Sequence, residues 1–201
     1  MPRIPLFNPA TMTSEQAAVY NAIVTGPRGQ LVGPLRAALH RPELADRWQK
    51  FGEVLRYGTS ISKKLVELAI IVTARRWNSQ VEWHIHSIEA SRAGLPDAAI
   101  EAIRIGAAPV LADELESDVY EFARQVQMHG NVDDALYSRL HARLGTVGIV
   151  ELGAVIGYYT LVSMTLNLHA IPLPAGVARE PLDAADTLSA LPALPAMAPG
   201  Q

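Results

Sequence analysis

The chain has 201 residues, a length that fits one domain with extensions, and 49% of them are hydrophobic, enough to build a core. Its net charge of −3 and pI near 6.1 come without a block of like charge, which excludes the clustered basic footprint of a nucleic-acid binder. There is no cysteine, so disulfides, thiolate metal sites and thiol nucleophiles are excluded together.

The opening MPRIPLFNPA lacks the apolar run of a secretory signal, and a cytoplasmic protein is expected. Three prolines in residues 1–12 predict an extended arm. Thr13 then caps a helix over residues 14–24, with Gln16 completing a capping box. The Gly/Pro-rich segment GPRGQLVGP, residues 26–34, is a loop that carries Arg28. It is no phosphate loop, because no strand precedes it and no G-K-[ST] follows. A short helix spans 35–40, and Pro42 opens another as a first-turn proline. Leu44, Trp48, Phe51, Val54 and Leu55 form the apolar stripe of that helix, which ends at Arg56-Tyr57-Gly58.

Ser60 or Ser62 caps the next helix, which runs to about residue 77 with Leu65, Leu68, Ala69, Ile71 and Val72 as its apolar face. After the turn Trp77-Asn78-Ser79, a helix over 79–93 stops at Gly94-Leu95-Pro96-Asp97. Shorter helices follow at 97–105, 113–129 and 133–144. Residues 146–168 are the most apolar stretch. They suffice in number to span a bilayer, but Glu151, three glycines and the missing basic flank point to a buried central helix and no membrane. The tail, residues 179–201, is rich in Ala, Leu and Pro and is expected either to be mobile or to lie along a neighbouring surface. The whole reads as all-α.

Chemistry concentrates in ELAIIVTARRWNSQVEWHIH, residues 67–86. Glu82 and His86 are four apart and share a helix face, and Ser79 continues that stripe. Glu67 and His86 each lie roughly 12–15 Å from the turn at ~1.5 Å per residue, so antiparallel packing brings them level. A His between two acids on an apolar hairpin has its charged form favoured by them and opposed by burial, which is how a proton-transfer group is tuned. Glu67 has apolar neighbours, and an acid there needs a partner. Arg56 can grip a carboxylate with Tyr57 beside it, Arg28 has a similar case, and Trp83 and Trp48 suit core or pocket wall. His84 faces another way, and Glu67, Glu82 and His86 lack a fourth metal ligand, so neither metal nor cofactor is expected. Tyr158, Tyr159, Glu151 and Asn167, polar groups on the apolar helix, read as core hydrogen bonding or a subunit contact.

This hairpin resembles the signature of the carboxymuconolactone decarboxylase family, which includes the alkylhydroperoxidase D-like proteins. The family's thiol branch carries Glu, Cys-x-x-Cys and His at set spacing; here Glu67, Ser79, Glu82 and His86 occupy those places. With both sulfurs replaced, E-W-x-x-H (Glu82, Trp83, His86) is similar to the cysteine-free decarboxylase-like branch. The segments RYGTSISKKLVELAI, RRWNSQVEWHIHSIEASRAGL, VELGAVIGYYTLVSMTLNLHAIPLP and TSEQAAVYNAIVTGPRG extend the likeness over residues 13–174, leaving an arm at 1–12 and a tail at 175–201. The resemblance implies an alkylhydroperoxidase D-like helical subunit that assembles into a homotrimer or homohexamer with pockets near subunit contacts. It implies a cofactor-independent lyase, a decarboxylase acting by acid–base chemistry on a small organic acid, with catalytic Glu67, Glu82 and His86 and substrate-binding Arg56, Tyr57, Trp83 and Arg28. The rival expectations are a non-catalytic oligomeric scaffold and an antioxidant protein without redox cysteines.

Overall fold

The computed structural model describes residues 1–182 and 188–195. Among them all regular structure is helical: a 3-10 turn Pro9–Thr11, then α1 (Ser14–Thr25), α2 (Leu35–Ala38), α3 (Pro42–Tyr57), α4 (Lys63–Arg76), α5 (Gln80–Arg92), α6 (Asp97–Arg104), α7 (Glu114–His129) and α8 (Asp134–Leu168). The capping box at Thr13 and Gln16 is present, and Pro42 opens α3 as expected.

The centre is α4, packed against α5, α7 and α8. Every residue from Leu65 to Arg75 is buried, so α4 is a helix with almost no wet face. Its polar groups are therefore all spoken for. Thr73 donates to the Ala69 carbonyl at 2.9 Å, and the fully buried Arg75 donates to the Arg104 carbonyl at 2.8 Å. At the wetter end, Lys64 is paired with Glu116 of α7. Ser62 stands at the N-cap without a side-chain bond; Ser60 instead donates to Glu151 of α8, backbone at 2.8 Å and hydroxyl at 2.6 Å.

Residues 134–168 form one element with a break at Gly145, whose φ of 68° and ψ of 177° belong to glycine alone. Among the described residues it is the one helix long and apolar enough to cross a membrane, and half of its most apolar window is buried inside the fold. The expectation of a wholly buried helix therefore needs correcting. Val155, Ile156, Tyr159 and Val162 face the core, while Val147, Val150, Leu161, Met164 and Leu168 stay exposed. The α3 stripe divides likewise. Trp48 and Leu55 are buried, and Leu44, Phe51 and Val54 are half exposed, because α3 packs through a narrower face than its sequence offers.

The described part of the tail lies along the protein surface. Gln80 exchanges two hydrogen bonds with the Glu180 backbone (2.9 and 3.0 Å), and Ser189 donates to the Arg76 carbonyl at 2.9 Å. Tyr120 donates to the Pro192 carbonyl at 2.9 Å, and the strap's own Leu182 and Leu191 are buried. Residues 183–187 and 196–201 of the expected tail lie outside the described residues.

One close approach fixes α3 against α8. A methyl group on Gly52 would overlap the Tyr158 hydroxyl and the Arg28 guanidinium, which fill the space a side chain would take. Gly52→Ala is expected to lower stability by about 1–3 kcal/mol, the usual cost of overpacking, measured by denaturant unfolding; a neutral result would contradict this packing.

Candidate active site

The hairpin α4–α5 does what the spacing predicts. His86 Nδ1 lies 2.7 Å from Glu67 Oε2, and Nε2 lies 3.3 Å from Glu82 Oε2. All three side chains are nearly inaccessible, His86 at 1%, Glu82 at 3% and Glu67 at 4%. The Tyr159 ring stands edge-on to the imidazole at 4.9 Å, and Tyr158 stands edge-on to Tyr159 at 5.2 Å. Because the carboxylates hold opposite nitrogens of one ring, their oxygens do not converge on a point. No group of three or more possible ligands suited to a metal ion occurs among the described residues.

The electrostatics favour a charged imidazole. Burial by itself would push His86 down, but the hydrogen bonds it donates to Glu67 and Glu82, reinforced by their charges, raise it to about 9. At neutral pH the imidazole between these two side chains thus carries its second proton. Burial also drives the Tyr159 phenol well above its ordinary value, with the Glu82 charge adding to it, so this ring keeps its proton.

A cavity of about 340 Å³ reaches the trio from one side, and Glu67 is the member that lines it. Arg56, Tyr57, Thr59, Ile61, Lys63, Val66 and Ile70 form the rest of its wall. Arg56 has no side-chain hydrogen bond or ion pair among the described residues, and its guanidinium carbon lies 5.8 Å from the centre of the Tyr57 ring. Burial opposes its charge, yet the tyrosines Tyr159 and Tyr57 and the carboxylates Glu82 and Glu67 hold it above the ordinary arginine value. Lys63 is held at the rim by Glu89 at 2.5 Å. An unpaired guanidinium beside a carboxylate, in a cavity with apolar walls, is suited to a small organic anion.

The other sequence candidates lie elsewhere. Trp83 is 2% exposed and belongs to the core, not to this cavity wall. Arg28 reaches Gly52 and Tyr158 and donates to the Gln49 carbonyl at 3.4 Å, and it does not line the cavity. Ser79, at the start of α5, is buried with its hydroxyl unpartnered. Glu151 holds Ser60, and Asn167 donates to the Trp77 carbonyl at 2.7 Å, both structural duties. Sequence reasoning missed Lys63, Val66 and Ile70, although Lys63 precedes Glu67 by four residues and Ile70 follows it by three, so all were on one readable helix face. A larger hollow of about 880 Å³ lies between α7, α8 and the strap. Its charged groups are already matched, as in Arg139 with Asp118 at 2.7 Å, and it contains none of the trio.

Residues 42–125 match the model of the carboxymuconolactone decarboxylase family. No curated protein matches the sequence. Among the solved structures that share the fold are three at 14–15% identity. An uncharacterized peroxidase-related protein from Silicibacter sp. TM1040 is 15% identical, with 87% of this chain and 92% of that one covered at a TM-score of 0.69. An uncharacterized peroxidase-related protein with an alkylhydroperoxidase AhpD core, from Ralstonia eutropha JMP134, is 14% identical over 87% and 93%, TM-score 0.66. The debrominase Bmp8, as a variant in complex with 2,3,4-tribromopyrrole, is 14% identical over 86% and 91%, TM-score 0.67.

The raised His86 value carries a sign for stability. A group whose folded pKa exceeds its unfolded one contributes fully below the unfolded value, here 6.5, and loses that contribution as pH climbs through about 9. The stability gap between the native protein and His86→Gln should therefore be flat below pH 6 and shrink between 6.5 and 9. The loss should be on the order of 3–4 kcal/mol, the rise from 6.5 to about 9 taken at about 1.4 kcal/mol per pKa unit. Denaturant melts of both proteins across that range measure it, and a gap that widens with pH would refute a charged imidazole.

Proposed function

We propose that this chain, whose residues 42–125 match the model of the carboxymuconolactone decarboxylase family, is a cofactor-independent acid–base enzyme, a lyase that decarboxylates a small organic acid. The observation that carries the reading is the position of Glu67. One oxygen meets the His86 imidazole at 2.7 Å, and the same side chain lines the cavity that holds the unpaired Arg56.

In this reading Arg56 grips a substrate carboxylate, Tyr57 walls the mouth and Lys63 supplies a second positive charge at the rim. Breaking the carbon–carbon bond to the departing carboxylate releases carbon dioxide and leaves the electron pair on carbon as a carbanion or enolate. The proton shared by Glu67 and His86 is delivered to that carbon through Glu67, and solvent restores it afterwards. Glu82 does not reach the substrate; it keeps His86 charged and oriented, as a second carboxylate does for a buried imidazolium. Trp83 and Arg28 are supporting residues in this scheme. Trp83 packs the hairpin, and Arg28 holds the loop at 26–34, whose Gly33 lies against Glu82.

The structural relatives described as peroxidase-related share the fold, but thiol chemistry needs a sulfur that this chain lacks. A scaffold reading draws on the depth of the trio, since buried ion pairs also serve stability alone. The two separate in Glu67→Gln. A catalytic Glu67 loses roughly 10²- to 10⁴-fold in kcat with a modest change in melting temperature, measured on a panel of small carboxylated lactones and keto acids; a scaffold shows no turnover in either protein and a large loss of stability.

The pH profile offers a second measurement. Activity that requires protonated His86 should fall above about pH 9. Removing the Glu82 charge takes away one of the two carboxylates that raise the imidazole, so Glu82→Gln should move that falling limb toward neutral pH. A limb that stays in place would remove Glu82 from the scheme.

A further inference from the structure

Positive charge gathers in a hollow that the trio does not use. It measures about 600 Å³ and lies between the N-terminal arm, the turn joining α4 to α5, the end of α8 and the segment that follows it. Arg3 and Arg179 line it, and no Asp or Glu does, in a protein whose net charge is −3. Both arginines are held in place by the backbone around them. Arg3 donates its backbone N–H to the His169 carbonyl at 2.9 Å and a guanidinium N–H to the Leu168 carbonyl at 3.1 Å. Arg179 precedes Glu180, whose backbone is clamped by the Gln80 amide through two hydrogen bonds. The Arg179 guanidinium itself has no hydrogen bond or ion pair among the described residues. The carbonyls at the end of α8, which would repel an anion, are already occupied: Leu166 by Ile171, Asn167 by Ala170, Leu168 and His169 by Arg3. Val81, Leu166, Ile171 and Val177 give the hollow an apolar wall.

We propose that this hollow binds an organic phosphate monoester, at a site that shares no lining residue with the Arg56 cavity. The charge count selects the ligand. A phosphate monoester carries close to two negative charges at neutral pH and offers three acceptor oxygens, which suits two forked guanidinium donors. A single carboxylate would match one arginine and leave the other unpaired. The apolar wall takes the organic body of the ester, and the volume falls within the usual range for a small-molecule site. Such a ligand would touch the arm, the hairpin turn and the segment after α8 together, parts that are far apart along the chain. Occupancy therefore stabilises the folded protein by mass action, since the unfolded chain does not hold these groups near one another.

Phenyl phosphate is a suitable probe. Calorimetric titration in phosphate-free buffer at low salt should give one site per chain, and the melting temperature should rise with the concentration of the probe. Arg179→Gln should weaken binding about tenfold or more by removing a charge-assisted fork. It should leave the melting temperature of the ligand-free protein unchanged, because this side chain bonds nothing in the fold. Arg3→Lys keeps the charge without the fork and should weaken binding by a smaller factor. Arg56→Gln should have no effect. Inorganic phosphate lacks the apolar body and benzoate lacks the second charge, so each should bind about tenfold more weakly or less. The proposal is overturned if millimolar phenyl phosphate shows no saturable binding, if affinity survives Arg179→Gln, or if it is lost in Arg56→Gln. Equal binding of inorganic phosphate, an adventitious ion only, overturns it as well, and so does equal binding of benzoate.

Discussion

A positive charge buried between two negative ones is the constraint around which this molecule is arranged. His86 has given up water almost completely, and an imidazolium there is tolerable because Glu67 and Glu82 occupy both of its nitrogens. That requirement dictates much else. The two acids must come from different helices on either side of the ring, which fixes the register of the α4–α5 hairpin. The hairpin must be dry, which α8 provides through Tyr159 and its neighbours. Arg56 then stands on the side where Glu67 lines a cavity, a cation with no hydrogen-bonding or ion-pair partner among the described residues.

The helix that carries Glu67 has the opposite character from most surface helices. Its buried length runs from Leu65 to Arg75, and each polar group along it is matched by a partner from another element. Such a helix transmits position rigidly. A shift at Lys64, pinned to Glu116, or at Arg75, pinned to Arg104, would be felt at Glu67. Placing the cavity-facing acid here gives it a fixed location, while the rim residues Arg56, Tyr57 and Thr59 lie on a helix end and a loop that have more freedom to adjust.

The fold was largely readable because periodicity and punctuation agree in this chain: Thr13 with Gln16, Pro42, the stop at Gly94 and the apolar run after Gly145 each mark a real boundary. Glu67 was readable because an acid among Val66, Leu68 and Ala69 demands a partner, and His86 because it shares a face with Glu82. Which of the three meets the cavity was not readable, since spacing places residues on a face but does not say where the space is. Arg28 illustrates the same limit. Its loop has no period, and its contact with Gly52 and Tyr158 depends on how α3 and α8 cross. The stripe on α3 was overread because apolar spacing cannot separate a face that packs within the subunit from one that packs outside it, and the same ambiguity made the outer side of α8 look buried.

The strap closes contacts that are far apart along the chain, Gln80 with Glu180 and Arg76 with Ser189. Closing loops of this length costs entropy before any contact rewards it, and slows folding relative to neighbouring-helix contacts. The helices can collapse first, yet the contacts of Glu180 and Ser189 beside the turn between α4 and α5 form only when the strap arrives. Assembly of the reactive hairpin and its final enclosure are therefore separate events in time. During biosynthesis the turn of that hairpin would spend an interval uncovered, a window in which a chaperone or a protease meets a surface that the finished protein conceals.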